Sequence, residues 1–190
     1  MKIFYTASLR GVKSYRDELQ NIFDLIEKLG HKNLDTVLFN IENEGKFYSG
    51  IHSDKINHFK RIIKSIKDSD IVILEISTHS LSMGYILHKA LEMNKPVIAL
   101  YQPGNPPFFA QGIENDKLQV IEYSDADIES TLRDAIEYAQ GKADVRFNFF
   151  ISPSIGNYLD WISKVKKIPR SVYLRGLIEK DLSSNDEYNS

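Results

Sequence analysis

Two short polar segments in the first half of the chain carry residue types that bind anions. Ser8–Gly11 supplies a hydroxyl and the Arg10 guanidinium, and Thr78–Gly84 supplies the hydroxyls of Ser80 and Ser82. Each segment precedes or opens a helical pattern, and N–H groups at a helix N-terminus attract negative charge. Two such segments facing one crevice predict a phosphate site that needs no metal. The residues predicted to bind the phosphate or nucleotide are Ser8, Leu9, Arg10, Gly11, Ser80, Ser82 and Gly84.

A purely structural role is the alternative for both segments. Ser8–Gly11 also suits a capped turn with a solvated Arg10, because serine and glycine are common turn residues. Ser80 or Ser82 also suits simple N-capping of the helix that follows. The residue types alone leave both interpretations open.

Glu75 is the candidate catalytic residue, since it ends an apolar segment just before the second polar segment. Burial raises the pKa of a carboxyl toward the range of a general acid. Local capping or pairing is the alternative role for Glu75. The five histidines have no metal-ligand spacing with neighbouring acids, so we expect no metal and no cofactor.

The pattern of the chain predicts an α/β fold, a five-stranded parallel sheet with helices on both faces. Short β-rich apolar runs alternate with stretches of helical period, as such a sheet requires. The two polar segments follow the first and third runs, so they lie at the carboxyl edge of the sheet, where open α/β sheets bind ligands. The predicted strands are Ile3–Thr6, Thr36–Asn40, Ile71–Ile76, Val97–Tyr101 and Leu118–Tyr123.

Composition excludes several classes of protein. A formal charge of −2 gives no general attraction to nucleic acid, and the absence of cysteine excludes disulfides and thiol chemistry. No run approaches the ~18 apolar residues of a membrane span, and no signal peptide is recognisable. We therefore expect a cytoplasmic protein without a membrane partner.

The ordered motifs Ile3–Gly11, Asp70–Ile76, Ser80–Ala90 and Lys95–Ile98 resemble those of the 2′-deoxynucleoside 5′-phosphate N-hydrolases. These enzymes are relatives of the nucleoside 2-deoxyribosyltransferases, and the resemblance runs to about residue 140. It implies a Rossmann-like domain over residues 1–141. It also implies that the segment matching Ser8–Val12 and the serine matching Ser80 hold a 5′-phosphate.

The resemblance also shows three departures at the positions that do chemistry in the family. The family's glutamate after Gly-Tyr falls at Ile86, and its strand tyrosine falls at Phe4, with Tyr5 adjacent. Its helix aspartate falls near Ile62. Cleavage of an N-glycosidic bond needs a carboxylate against the developing oxocarbenium charge, and isoleucine cannot supply one.

Residues 144–182 resemble a ribbon-helix-helix unit, a strand followed by two short helices, and residues 183–190 are expected to be a flexible tail. About forty residues bury too little apolar surface to fold alone, so a homodimer or higher oligomer is expected. Seven Lys/Arg against four Asp/Glu make this segment mildly basic, at +3. DNA is a possible partner, with Arg146 and Asn148 on the outward face of the strand. A dimerisation clasp without DNA binding is the alternative.

Two hypotheses for the function follow. The first is a nucleotide-binding protein with a catalytically degraded pocket, acting as a dimeric regulator or scaffold. The second is an active N-glycosidase, a deoxynucleotide N-hydrolase or deoxyribosyltransferase in which Glu75 or a partner-chain residue supplies the carboxylate.

Overall fold

The structure is a computed structural model that describes residues 1–12, 14–34, 38, 52–142 and 149–185, with only the backbone described at 52, 53 and 142. The chain divides into two compact units, Met1–Val145 and Arg146–Ser190. None of the described helices is both long and apolar enough to cross a membrane.

The first unit contains a five-stranded sheet in the order β2-β1-β3-β4-β5, and all of its strand pairs are parallel. The predicted fold class is therefore confirmed. The strands are β1 Lys2–Ala7, β2 Lys32–Asn33, β3 Ile71–Glu75, β4 Val97–Tyr101 and β5 Leu118–Glu122.

Helices cover both faces of this sheet. One apolar cluster joins the sheet to α1 and α5, and a second joins its other face to α2, α3 and α4. A strand covered on both faces needs a near-continuous apolar sequence. The central strands β3 and β4 have such sequences, and all of their residues are buried. The helices are α1 Arg16–Lys28, α2 His52–Asp68, α3 Leu81–Glu92, α4 Phe108–Gln111 and α5 Ile128–Lys142.

The second strand lies earlier in the chain than predicted. It is Lys32–Asn33 rather than Thr36–Asn40, and Leu38, which belongs to the predicted range, is buried and helical. The chain turns at Gly30, which has a φ of 83°, and the Lys32 N–H donates to the Met1 carbonyl at 2.8 Å. The turn therefore brings the chain onto the edge of β1 at once. The rest of Thr36–Asn40 lies outside the described residues.

The second unit contains two helices, α6 Pro153–Lys166 and α7 Arg170–Ser184. Pro153 occupies the first turn of α6, and the Ser152 hydroxyl accepts a hydrogen bond from the Ile155 N–H at 3.4 Å. Lys167 ends α6 in the left-handed conformation, with a φ of 53°. The last helix, α7, extends to Ser184, which lies two residues into the predicted tail.

The strand predicted before these helices is not seen in the part that the structure describes. Phe149–Ile151 has no strand assignment, and residues 143–148 lie outside the described residues. The candidate DNA contacts Arg146 and Asn148 fall in that range.

Candidate functional site

A cavity of about 810 Å³ lies in the first unit, beside α3 and at the carboxyl ends of the strands. Arg10 after β1, His79 and Ser80 after β3, and residues of α3 and α4 line it. The remaining lining residues are Ile76, Leu81, Met83, Gly84, Tyr85, Leu87, His88, Pro107, Phe108, Phe109 and Ala110.

The two segments that the sequence predicts to bind an anion meet at Gly11. A Cβ added there would lie 2.6 Å from Thr78 Oγ1 and 3.3 Å from the Ser8 carbonyl oxygen, so any side chain would force the Thr78 side chain to shift. The Gly11 N–H donates to the Ser8 carbonyl at 2.9 Å, which closes the turn after β1. Glycine therefore lets this turn pack directly against the turn after β3.

Ser80 stands at the N-terminus of α3 as the residue before the first helical turn. Its side chain makes no capping hydrogen bond, although serine often caps in this position. Ser80 and Arg10 both line the same cavity. An arginine and a helix N-terminus therefore border one space, and both attract negative charge.

The other predicted anion-binding residues have different positions. Gly84 lines the cavity, and a Cβ on it would meet no atom within 4 Å. Ser8 is buried behind the turn, and Leu9 packs against the apolar cluster of α1 and α5. Ser82 is exposed on α3 and does not line the cavity.

An aromatic rim is the part of the site that the sequence analysis missed. Phe109 is 97% exposed and Phe108 73% exposed, and both border the cavity. Tyr85 packs against Phe59 of α2, with ring centroids 5.9 Å apart. Two adjacent phenylalanines after a proline-rich loop at the ligand edge were the available signal, because exposed aromatic pairs often mark interaction sites.

The three positions where the resemblance places catalytic groups lie together in one apolar cluster. Phe4, Ile62 and Ile86 are 0%, 7% and 6% exposed, and all three belong to the cluster of α2, α3 and α4. These residues of β1, α2 and α3 therefore lie on the same side of the sheet. Their side chains make an apolar core at that place.

Glu75 lies on the opposite face of β3 from this cluster. Ile71 and Ile73 share its face and pack with α1 and α5, whereas Val72, Leu74 and Ile76 pack toward the cavity side. Glu75 is 3% exposed and does not line the cavity. The structure therefore does not bring Glu75 together with Arg10 and Ser80.

The side chain of Glu75 is held by hydrogen bonds from two neighbouring residues, Ser77 and Tyr123. Its Oε1 accepts hydrogen bonds from the Ser77 N–H at 3.2 Å, from the Ser77 hydroxyl, and from the Tyr123 hydroxyl at 3.3 Å. Burial raises the pKa of the Glu75 carboxyl, and the hydrogen bonds from Ser77 and Tyr123 lower it in part. Burial together with the charge of Glu75 likewise raises the pKa of Tyr123 and of Tyr5.

The cavity has no carboxylate among its described lining residues. Within the described parts of the chain, no three His, Asp or Glu side chains converge in an arrangement that could hold a metal ion. Its polar lining residues are Arg10, His79, Ser80, Tyr85 and His88, while most of its lining surface is apolar.

Comparisons with known proteins define the class. No protein-family model matches the chain. A solved structure of a CMP N-glycosidase from Clostridium botulinum has the same fold, with a TM-score of 0.51 at 14% identity, and the match covers 70% of this chain and 98% of that one. The first unit therefore shares the α/β fold of that structure.

Three curated relatives give the family. A 2′-deoxynucleoside 5′-phosphate N-hydrolase of Nematostella vectensis is 31% identical over 135 residues, which are 69% of this chain and 90% of the relative. A 5-hydroxymethyl-dUMP N-hydrolase of Tetraodon nigroviridis is 29% identical over 70% of this chain and 96% of its own. A 2′-deoxynucleoside 5′-phosphate N-hydrolase of Syntrophotalea carbinolica is 28% identical over 65% of this chain and 84% of its own. The chain belongs to the 2′-deoxynucleoside 5′-phosphate N-hydrolase family.

Proposed function

We propose that the chain binds a nucleoside 5′-phosphate in the cavity beside α3. Arg10 and the N-terminus of α3 at Ser80 take the phosphate, and the rim formed by Tyr85, Phe108 and Phe109 takes the base. The observation that carries this proposal is that an arginine and a helix N-terminus border one cavity whose lining is otherwise mostly aromatic or apolar. A nucleotide needs both kinds of surface, because one end is charged and the other is a flat ring.

We also propose that this site binds its ligand without cleaving it. Hydrolysis of the glycosidic bond needs a carboxylate close to the anomeric carbon. Ile86, Phe4 and Ile62 fill the corresponding positions with apolar groups, and the described cavity lining contains no carboxylate. These observations support a nucleotide-binding protein, which could act as a regulator or scaffold.

The test is titration calorimetry with 2′-deoxynucleoside and ribonucleoside 5′-monophosphates, run beside a chromatographic assay for free base. The proposal predicts binding without base release, and Arg10→Ala weakens that binding. Arg133→Ala, which removes an exposed arginine on α5 that pairs with Glu129, is the matched control and leaves it unchanged. Equal affinity in the Arg10 and Arg133 variants would contradict the assignment of the phosphate site.

An N-hydrolase is the second candidate function, and the names of the relatives favour it. In that case the carboxylate comes from Glu75 after a rearrangement, or from a partner chain. Robust release of base from a 2′-deoxynucleoside 5′-monophosphate by the wild-type protein, abolished by Glu75→Gln, would select this candidate and refute binding without cleavage.

We propose further that the second unit makes the protein a dimer. Its helices leave many apolar side chains exposed, and such a surface is typical of an interface. Those exposed by about half or more include Ile155, Tyr158, Trp161, Val165, Val172, Leu177 and Ile178.

Ile178→Glu in the full chain should therefore lower the mass measured by light scattering, and truncation after Gly141 should do the same. An unchanged assembly would show that this unit is not the dimerisation element. DNA binding through Arg146 and Asn148 is tested by a salt-sensitive mobility shift that Arg146→Ala/Asn148→Ala abolishes.

A further inference from the structure

A buried polar network lies directly beneath the turn that follows β3. Its centre is the Oε1 atom of Glu75, which accepts from the N–H and the hydroxyl of Ser77 and from the hydroxyl of Tyr123. The Ser77 hydroxyl oxygen in turn accepts a hydrogen bond from the Gln102 N–H at 2.7 Å. The network therefore ties together the carboxyl ends of β3, β4 and β5.

This network is closed to solvent. Glu75 and Ser77 are 3% and 7% exposed, and the Tyr5 hydroxyl is buried beside them without a hydrogen-bond partner. The charged or titratable groups that face Glu75 are Glu18 on α1, Tyr5 on β1 and Tyr123 after β5. A buried network of this kind holds its members in one arrangement, because each broken hydrogen bond leaves a desolvated polar group.

Ser77 links the network to the cavity. The next residue, Thr78, lies against the position where Gly11 has no side chain, and the two after it, His79 and Ser80, line the cavity. The position of Ser77 therefore sets where the N-terminus of α3 stands relative to Arg10. A shift of the turn by even a few tenths of an ångström would change both the Thr78 contact and the place of the helix N-terminus.

We propose that Glu75 is a positioning residue: through Ser77 it holds the turn from Thr78 to Ser80 against the Gly11 turn and so keeps the cavity in its anion-binding geometry. It acts from the face of the sheet opposite the ligand and touches no reacting atom. The identity of the ligand rests on the proposed function, whereas the position of the turn can be measured in the ligand-free protein.

Ser77→Ala in the full chain is the first test, because it removes the atom that joins Glu75 to Gln102. The Gln102 amide should lose roughly tenfold of its protection from hydrogen exchange, the factor that one net hydrogen bond represents. The affinity for a 2′-deoxynucleoside 5′-monophosphate should fall by a similar factor. Ser77→Thr keeps the hydroxyl and should restore both quantities.

Ser69→Ala is the matched control. Ser69 is also buried, and its hydroxyl donates to the Ile66 carbonyl at 2.9 Å, but it precedes β3 at the opposite edge of the sheet. This variant loses a comparable hydrogen bond and should change neither the Gln102 amide nor the affinity. An equal loss of affinity in both serine variants would overturn the proposal, because it would reduce the effect to general destabilisation.

A pH profile separates positioning by the carboxylate from simple packing. In the wild-type protein, the protection factor of the Ser77 amide should vary with pH as Glu75 titrates, and Glu75→Gln should remove this dependence. A Ser77→Ala variant with unchanged protection at Gln102 and unchanged affinity would refute the proposal. If the wild-type protein binds no nucleotide, the proposed function fails, and the exchange measurements alone decide whether Glu75 positions the turn.

Discussion

Introducing a carboxylate at Ile86 measures directly how apolar the family's catalytic position has become. Ile86 is buried in one cluster with Phe4 and Ile62, and none of these three side chains offers a hydrogen-bond partner. Ile86→Glu therefore places a charge where the family has its glutamate, but without that family's polar surroundings. The expected result is a folded protein with strongly reduced, pH-dependent stability.

The magnitude follows from desolvation. Carboxyls buried in apolar surroundings have a pKa raised by about 3 units or more, and each unit corresponds to about 1.4 kcal/mol, so the charged form costs about 4 kcal/mol. The folded-state pKa of the introduced carboxyl then exceeds its unfolded value. The folded protein binds more protons between these two pKa values, so the free energy of unfolding falls as the pH rises from about 4.5 to about 7.5.

The assay is urea unfolding of Ile86→Glu and Ile86→Gln across this pH range. The two variants have nearly the same shape and both bury a polar group, which costs about 1 to 3 kcal/mol in protein cores. Only the glutamate variant titrates. We expect nearly equal free energies of unfolding near pH 4.5 and a difference of about 4 kcal/mol near pH 8.

Equal stability of the two variants at every pH would refute this reasoning. It would mean that water or a polar partner reaches position 86. The site would then be open to the family's chemistry, and the N-hydrolase candidate would gain support. A difference that grows toward low pH would contradict the sign of the linkage.

Three further predictions concern the two turns and the buried carboxyl. Arg10→Ala should weaken nucleotide binding by about 1.5–3 kcal/mol in titration calorimetry, the scale of a charge-assisted hydrogen bond. Gly11→Ala should lower the free energy of unfolding by about 1–3 kcal/mol, because its Cβ would meet Thr78 Oγ1 at 2.6 Å, and adding Thr78→Ala should relieve most of this clash since it removes that atom. Gly141→Ala, where a Cβ meets nothing within 4 Å, is its control in chemical denaturation and should be neutral or stabilising. Burial raises the folded-state pKa of Glu75, so its contribution to stability should fall as the pH rises above its ordinary pKa, and Glu75→Gln should flatten that part of the stability profile.

Much of the sheet could be predicted from the sequence, since four of its five strands lie on β-rich, mainly apolar runs between helical stripes. The edge strand β2 could not be predicted in this way. Lys32–Asn33 has no apolar pattern, since the turn at Gly30 and backbone hydrogen bonds to β1 determine its position.

The candidate site, too, could be predicted from the sequence only in part. Arg10 and Ser80 could be placed in one crevice, because both follow strands that the sequence identifies. The face of Glu75 could not be assigned, since both faces of β3 are buried and apolar alternation does not distinguish the ligand side. The contact of Gly11 with Thr78 depends on tertiary packing, which local residue types do not specify.

The Glu75 network is completed only when the last strand of the sheet has been synthesised. Its last member, Tyr123, follows the final strand of the sheet, whereas Arg10 and Ser80 are synthesised long before it. Synthesis proceeds from the N-terminus, so a nascent chain that ends before Tyr123 contains Arg10 and Ser80 but not the hydroxyl that completes the network. Under the proposed function, a nucleotide would therefore stabilise only chains in which synthesis has passed Tyr123.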